Sequence, residues 1–357
     1  MRKAITLALA LVMTLSLASC SGNNSNKDHG NSGGGSTSGS NPTTSQDGNK
    51  DDIPYDTSWP TREVRLIIPY AEGGGSHKVA LMVKDASEKL NLMKNPFIAV
   101  CMPNAATLEG QEEVLYADPD GYTILIHHNA MINGYALGKQ DFSYDDFRMV
   151  GQLYDTPMVI SVRSDFPADN LSELADAIKS NPGKYTWTWA GSGGNTHFAS
   201  YVFYNAAGIS DSDIIPSITK GDSESAMQCA GGTADIVISQ SNAVEEYVKS
   251  GDLKVLGNSS GGTIEVGGQS VPSWQEQGFN DTYLLRCFAF LPKETPDDVF
   301  NAVAAAFEKI VNSDEFATAM AAEGMIANWL PEDEAVAAFA KEAENANAIA
   351  EKILATQ

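Results

Sequence analysis

The chain has 357 residues, with 23 Lys and Arg against 46 Asp and Glu, a formal charge of −23. At 43% hydrophobic and 19% charged it can fold, and its length fits about two domains. The acidity excludes the basic face of a nucleic-acid binder and docking by charge on an anionic membrane; four cysteines in so long a chain are no disulfide framework.

Arg2 and Lys3 open the chain, and residues 4–18 are apolar apart from Thr6, Thr14 and Ser16. The run is shorter than the about 20 residues of a membrane span, so it reads as a secretory signal. It ends Leu17-Ala18-Ser19-Cys20. That is the bacterial lipobox pattern, in which small residues fit the peptidase and the Cys20 thiol takes a diacylglyceryl group. The bland alternative is an ordinary signal with a chance cysteine. Residues 20–52 are then a flexible Gly/Ser/Asn tether, too polar to bury a core. Arg2, Lys3, Lys27 and Lys50 cancel Asp28, Asp47, Asp51 and Asp52, so the whole −23 falls on residues 53–357. Such a body stays soluble and resists self-association, and a monomer is expected. Cys101, Cys229 and Cys287 lie among apolar residues and are expected as buried free thiols.

From Trp59 onward, extended apolar runs alternate with helical spacing. Strands are expected at 64–69, 97–100, 122–126, 158–162, 185–189, 236–238, 254–256 and 288–290. Helices are expected around 79–90, 171–179, 196–207, 297–311 and 332–354. Asp118-Pro119-Asp120-Gly121 and Asn181-Pro182-Gly183 are turns. Strand–helix alternation predicts an α/β fold with mainly parallel sheet covered by helices.

Two segments share one layout of strand, glycines and helix start: Tyr70-Ala71-Glu72-Gly73-Gly74-Gly75-Ser76 and Ala190-Gly191-Ser192-Gly193-Gly194-Asn195-Thr196. A helix N-terminus offers free N–H groups and partial positive charge, and glycine lets a ligand approach the backbone. Two such loops can hold one small anion from two sides; the alternative is two tight turns with no ligand. Neither is a P-loop or a dinucleotide fingerprint. No G-x-S-x-G or H-E-x-x-H is present, so no enzyme activity and no cofactor is expected.

The chain resembles the extracytoplasmic solute receptors of tripartite tricarboxylate transporters. The likeness rests on Trp59-Pro60, Val64-Arg65-Leu66-Ile67-Ile68-Pro69-Tyr70-Ala71 with Gly73-Gly74-Gly75-Ser76, and Ala117-Asp118-Pro119-Asp120-Gly121-Tyr122-Thr123. It continues through Pro182-Gly183-Lys184, Gly191, Gly193, His197, Lys220-Gly221, Gly231-Gly232, Asp235 and Leu291-Pro292-Lys293-Glu294-Thr295-Pro296. The resemblance implies a two-lobed, type II-like periplasmic-binding-protein fold. The lobes are placed at 53–155 plus 259–357 and at 156–258, with crossings near 153–157 and 257–260. It further implies a carboxylated ligand held in the cleft through backbone N–H groups of the two loops, delivered to transmembrane transporter subunits.

The departures are specific. His77 stands where the family commonly has Asp, and Leu81 where it has Arg. Cys101-Met102-Pro103-Asn104-Ala105-Ala106-Thr107 lacks the family's glycines, and Trp189 replaces a small residue. The expected ligand set is therefore Tyr70, Gly73, Gly74, Gly75, Ser76, His77, Trp189, Gly191, Ser192, Gly193, Gly194 and Lys220. His77 can donate to a ligand or simply lie on the surface. Trp189 can stack on a flat ligand or be plain core. Alternation sends His127 and His128 to opposite faces, so at most one should reach the cleft. His197 reads as structural, and Lys220 or Lys78 as local cations or solvated lysines. The second reading is zinc capture by His77, one of His127 and His128, His197 and a carboxylate.

Overall fold

The structure is a computed structural model that describes residues 59–104, 107–281 and 283–355. The signal, Cys20, the tether and residues 105 and 106 lie outside the described residues.

In chain order the first elements are β1 (Val64–Ile68), α1 (Gly75–Lys89), β2 (Phe97–Cys101), α2 (Leu108–Leu115), β3 (Thr123–His128) and α3 (Ala130–Ala136). The long β4 (Phe147–Arg163) leads to α4 (Leu171–Ser180), β5 (Tyr185–Ala190), α5 (Asn195–Ala207), β6 (Ile214–Thr219) and α6 (Asp222–Ala230). Then come β7 (Ile236–Gln240), α7 (Ser241–Ser250), β8 (Leu253–Asn258), β9 (Ile264–Val266) and β10 (Gln269–Val271). The chain closes with β11 (Leu284–Pro292), α8 (Asp297–Val311), α9 (Asp314–Ala322), β12 (Ile326–Pro331) and α10 (Glu332–Ala355).

Among the described residues ten strands form one mixed sheet. β1 lies between β2 and β3, all parallel. β5 lies between β6 and β7, again parallel. Between these flanks β4 is antiparallel to all its neighbours. Residues 147–157 pair with β11 and 151–155 with β12, whereas 158–163 pair with β7 and β8. The α/β class holds, and the parallel part of the expected mainly parallel sheet lies in the two flanks. β1 and β4 are buried on both faces, which explains their apolar runs. Only the second half of β4 reads as a strand from sequence, because Gly151, Gln152 and Asp155 break the apolar pattern of its first half. Helix boundaries follow local chemistry. Asn170 caps α4 by accepting from the Glu173 N–H at 2.9 Å.

Midway along β4, the end of β8 runs beside it, with Val159 opposite Asn258. The Met158 N–H donates to Ser259 Oγ and the Ser259 N–H to the Met158 carbonyl, each at 2.8 Å. The Asn258 side chain, fully buried, ties this segment to Gly262 and Val271 through their carbonyls. The three cysteines of the described body are free thiols. Cys229 and Cys287 are buried, and burial pushes each up to about 12; Cys101 is only half-buried.

Candidate functional site: two histidine-braced glycine loops

The two glycine loops have one conformation, offset by 193 − 73 = 120 residues. Gly73 and Gly193 take φ of +79° and +77°, a region open to glycine at no steric cost. The Gly73 N–H donates to His77 Nδ1 at 2.9 Å, and the Gly193 N–H to His197 Nδ1 at 3.0 Å. Gly74 and Gly194 donate to Ala71 and Gly191 carbonyls, both at 3.3 Å, and stand as extended N-caps of α1 and α5. In each loop an imidazole four residues on closes the turn by accepting the glycine N–H.

This bracing redistributes the donors. The N–H groups of Gly73, Gly74, Gly193 and Gly194 are spent within the loops, and that of Gly191 on the Thr219 carbonyl at 2.9 Å. The first helical bonds run from Lys78 to Gly74 and from Phe198 to Gly194. The N–H groups of Gly75, Ser76 and His77, and of Asn195, Thr196 and His197, precede them and have no helical partner. Neither helix carries a side-chain cap or an acid in its first turn. In a chain of charge −23 this is selective. α2, α4, α6, α8, α9 and α10 each place an acid there, while α1, α3, α5 and α7, which follow β1, β3, β5 and β7, place none.

A polar chain joins the loops. The Tyr70 hydroxyl lies 3.4 Å from both His127 Nδ1 and His128 Nδ1, with its ring stacked on His128 at 4.7 Å. Asn195 Nδ2 lies 3.2 Å from His128 Nδ1, and the Ala130 N–H donates to that nitrogen at 3.3 Å. Asn195 Oδ1 accepts from the Tyr283 hydroxyl at 2.7 Å and from Asn133 Nδ2 at 3.1 Å. Loss of water pushes His128 down to about 3 and His127 well below the usual imidazole value, with His128 adding to the effect on His127. Both rings are neutral at pH 7, and an Nδ1 that accepts a backbone N–H leaves the proton of His128 on Nε2. Both histidines meet Tyr70, contrary to the alternation argument. His128 ends β3 where the chain turns into α3, and Tyr70 covers the ends of β1 and β3 together.

The other expected residues divide. Ser76 is buried at the start of α1. Trp189 is 3% exposed, its ring stacked on His197 at 4.6 Å and 8°, so it meets the loop through His197. Lys220 is exposed; its N–H donates to Glu224 Oε2 at 3.0 Å, and its ammonium forms no ion pair among the described residues. Lys78 is paired with Glu323 at 2.8 Å. Ser192 is held by a residue the sequence reading missed. Lys139 Nζ donates to its carbonyl at 3.0 Å, and no motif marks this lysine. Burial, with Lys139 nearby, pushes His197 down to about 4. A Cβ on Gly73 would meet nothing within 4 Å, whereas one on Gly193 would come 2.4 Å from Leu137 and 2.9 Å from Lys139 Nζ.

A cavity of about 370 Å³ lies apart from these loops, between α3, α5, α10 and the start of β11. Among the described residues no three His, Cys, Asp or Glu side chains gather as metal ligands. His77 and His197 each use Nδ1 on their own loop, so the zinc alternative has no ligand cluster.

The model of the tripartite tricarboxylate transporter family receptor matches residues 82–354. A UPF0065 protein of Bordetella pertussis is 25% identical over 303 residues, 81% of this chain and 88% of that protein. A TctC solute-binding protein from Polaromonas, solved without ligand, superposes with a TM-score of 0.70 at 23% identity, covering 84% of this chain and all of the other. MatC from Rhodopseudomonas palustris, with bound malate, gives 0.64 at 21%, covering 83% of this chain and 99% of the other.

Proposed function

The chain belongs to the tripartite tricarboxylate transporter receptor family, and on that premise we propose that it captures a small organic acid between its two glycine loops and delivers it to transmembrane transporter subunits. The observation that carries this reading is the pair of bare helix N-termini on α1 and α5. Free N–H groups and the positive ends of two dipoles suit a carboxylate at contact range, where the net −23 is screened beyond about 8 Å. The malate bound to MatC is consistent with this choice of ligand class.

The ligand would lie between the segment of Tyr70, Gly73, Gly74, Gly75, Ser76 and His77 on one side and that of Trp189, Gly191, Ser192, Gly193, Gly194 and Lys220 on the other. The hydrogen bonds above favour Gly75, Ser76 and Asn195 to His197 as the donating backbone. Gly73 and Gly193 give the turns their shape, and Trp189 acts through His197. Lobes at 53–155 plus 259–357 and at 156–258 would close by bending where Met158 and Ser259 hold the two crossings together. Cys20 would carry the lipid that tethers a monomeric body outside the cytoplasmic membrane.

A thermal-shift screen of three- to six-carbon mono- and dicarboxylates tests the ligand class, since binding to the native state alone raises apparent stability. No shift with any acid would refute it. Changing Cys20 to Ala and fractionating membranes tests the anchor separately; a variant still membrane-bound and lipid-labelled would rule it out.

A further inference from the structure

Arg286 stands between two carboxylates carried by two different elements. It lies opposite Asp155 where β11 pairs with β4, and its Nε sits 3.7 Å from Asp155 Oδ1 and 2.9 Å from Glu342 Oε1 of α10. The Glu342 contact is an ion pair without the alignment of a hydrogen bond, and Asp155 Oδ1 is buried with no donor. Each acid has a carboxamide anchor on its other oxygen. Asn328 Nδ2 donates to Asp155 Oδ2 at 2.6 Å, and Asn129 Nδ2 to Glu342 Oε2 at 3.0 Å. Their access to water differs. The Asp155 side chain is 10% exposed, whereas that of Glu342 is 24% exposed and lines the cavity between α3, α5 and α10, through which it exchanges protons.

One guanidinium cannot neutralise two carboxylates, and an unpaired charge out of water is costly, so one of the acids holds its proton more tightly. Burial pushes Glu342 up to about 7, against Arg286 and Asn129 and with Asp155 adding to the rise. Burial also raises Asp155, which Asn328, Arg286 and Gln152 hold down. Glu342 further faces Tyr283, whose hydroxyl burial keeps neutral; Lys341 and Asp281 line the same cavity, and α3, α5 and β12 present no charged side chain there.

We propose that Arg286 is a pH-sensitive switch, which pairs with Glu342 while that carboxylate is ionised and moves to the orphaned Asp155 Oδ1 once Glu342 is protonated. The pair with Glu342 is complete above the midpoint of Glu342 and is lost as pH falls through it. The exchange trades a tie between α10 and β11 for one between β11 and β4, a local charge change with a wider readout, because α10 packs against α3, β4, β12 and α5. With the lobes placed as proposed above, α10 touches α5 of the other lobe and Asp155 lies in a crossing, so acid loosens a contact between lobes and braces a crossing. That consequence rests on the lobe placement; the exchange itself does not.

The test is a pH titration of the full chain labelled with nitrogen-15 arginine, the Arg286 Nε–H signal being assigned by its loss in Arg286→Lys. The signal is expected to move in one step with a midpoint of about 7. Glu342→Gln keeps the size and the Asn129 contact but cannot ionise, so its Arg286 signal should stay at the acid position throughout. Crystals on either side of the midpoint read the partner directly. Arg286 Nε should face Glu342 in the alkaline form and come within about 3 Å of Asp155 Oδ1 in the acid form. A flat Arg286 signal in the wild-type chain overturns the proposal. So does a step that persists in Glu342→Gln, or an Nε that stays on Glu342 in the acid crystals. The wild-type titration and the crystals need no variant, so a Gln variant that fails to fold leaves the decision to them.

Discussion

His77 and His197 stand at one position in two loops, each accepting through Nδ1 the N–H of a left-handed glycine four residues earlier, at 2.9 and 3.0 Å. An imidazole that accepts at Nδ1 carries its proton on Nε2 when neutral. We predict that nitrogen-15 spectra of histidine-labelled protein at pH 7.5 assign both residues to the Nε2–H tautomer. An Nδ1–H signal from either would break the equivalence.

The histidines also set an acid limit. His197 at about 4 and His128 at about 3 lie below the unfolded value, so the unfolded state takes up protons first. Their contribution is complete above about pH 6.5 and is lost as pH falls toward the folded values. Glu342, raised to about 7 by burial, acts with the opposite sign and favours the folded state as pH falls from 7 toward the ordinary carboxylate range. The comparison must therefore be between variants. His197→Asn should remove roughly 3 kcal/mol of the stability change between pH 6.5 and 4. Urea midpoints at four pH values measure it; parallel curves for the two proteins would contradict it.

Lys139 holds the Ser192 carbonyl and helps depress His197. Lys139→Ala should raise the His197 titration midpoint, read by proton NMR, and weaken carboxylate capture about three- to tenfold by freeing the loop. An unmoved midpoint would remove Lys139 from the account.

The two braced glycines should respond differently to alanine. At Gly73 only the left-handed backbone is penalised, about 1–2 kcal/mol. At Gly193 the new methyl also strikes Leu137 and Lys139, adding about 1–3 kcal/mol of overpacking. Thermal unfolding of both variants should rank Gly193→Ala clearly below Gly73→Ala, and equal losses would count against the packing described.

Trp189→Ser should act first on stability. The ring is 3% exposed and stacked on His197, and removing a buried indole costs about 3–5 kcal/mol. Trp189→Phe should retain the stack and most of the stability. A serine variant as stable as wild type would show that the ring is not core.

Much of this was legible in the chain itself. The strand Val64-Arg65-Leu66-Ile67-Ile68 and the helix Asp297–Val311 follow from period and composition, because a buried strand needs a run of branched apolar residues and a surface helix needs one apolar stripe. The two glycine loops announced themselves by their place between a strand and a helix. Their internal bracing was present too, as a histidine four residues after a glycine in both, but only the bond geometry gives that spacing meaning.

Tertiary structure decided the rest. Lys139 reaches Ser192 across 53 residues of chain, and Tyr70, His128 and Asn195 meet from a loop, a strand and a helix. The first half of β4 is a strand despite Gly151, Gln152 and Asp155, because β11 and β12 supply its hydrogen bonds from nearly the far end of the sequence. Period and composition report what a segment does with its own neighbours. Which donor meets which acceptor across the sheet is set by the packing of all its strands, and no local pattern encodes it.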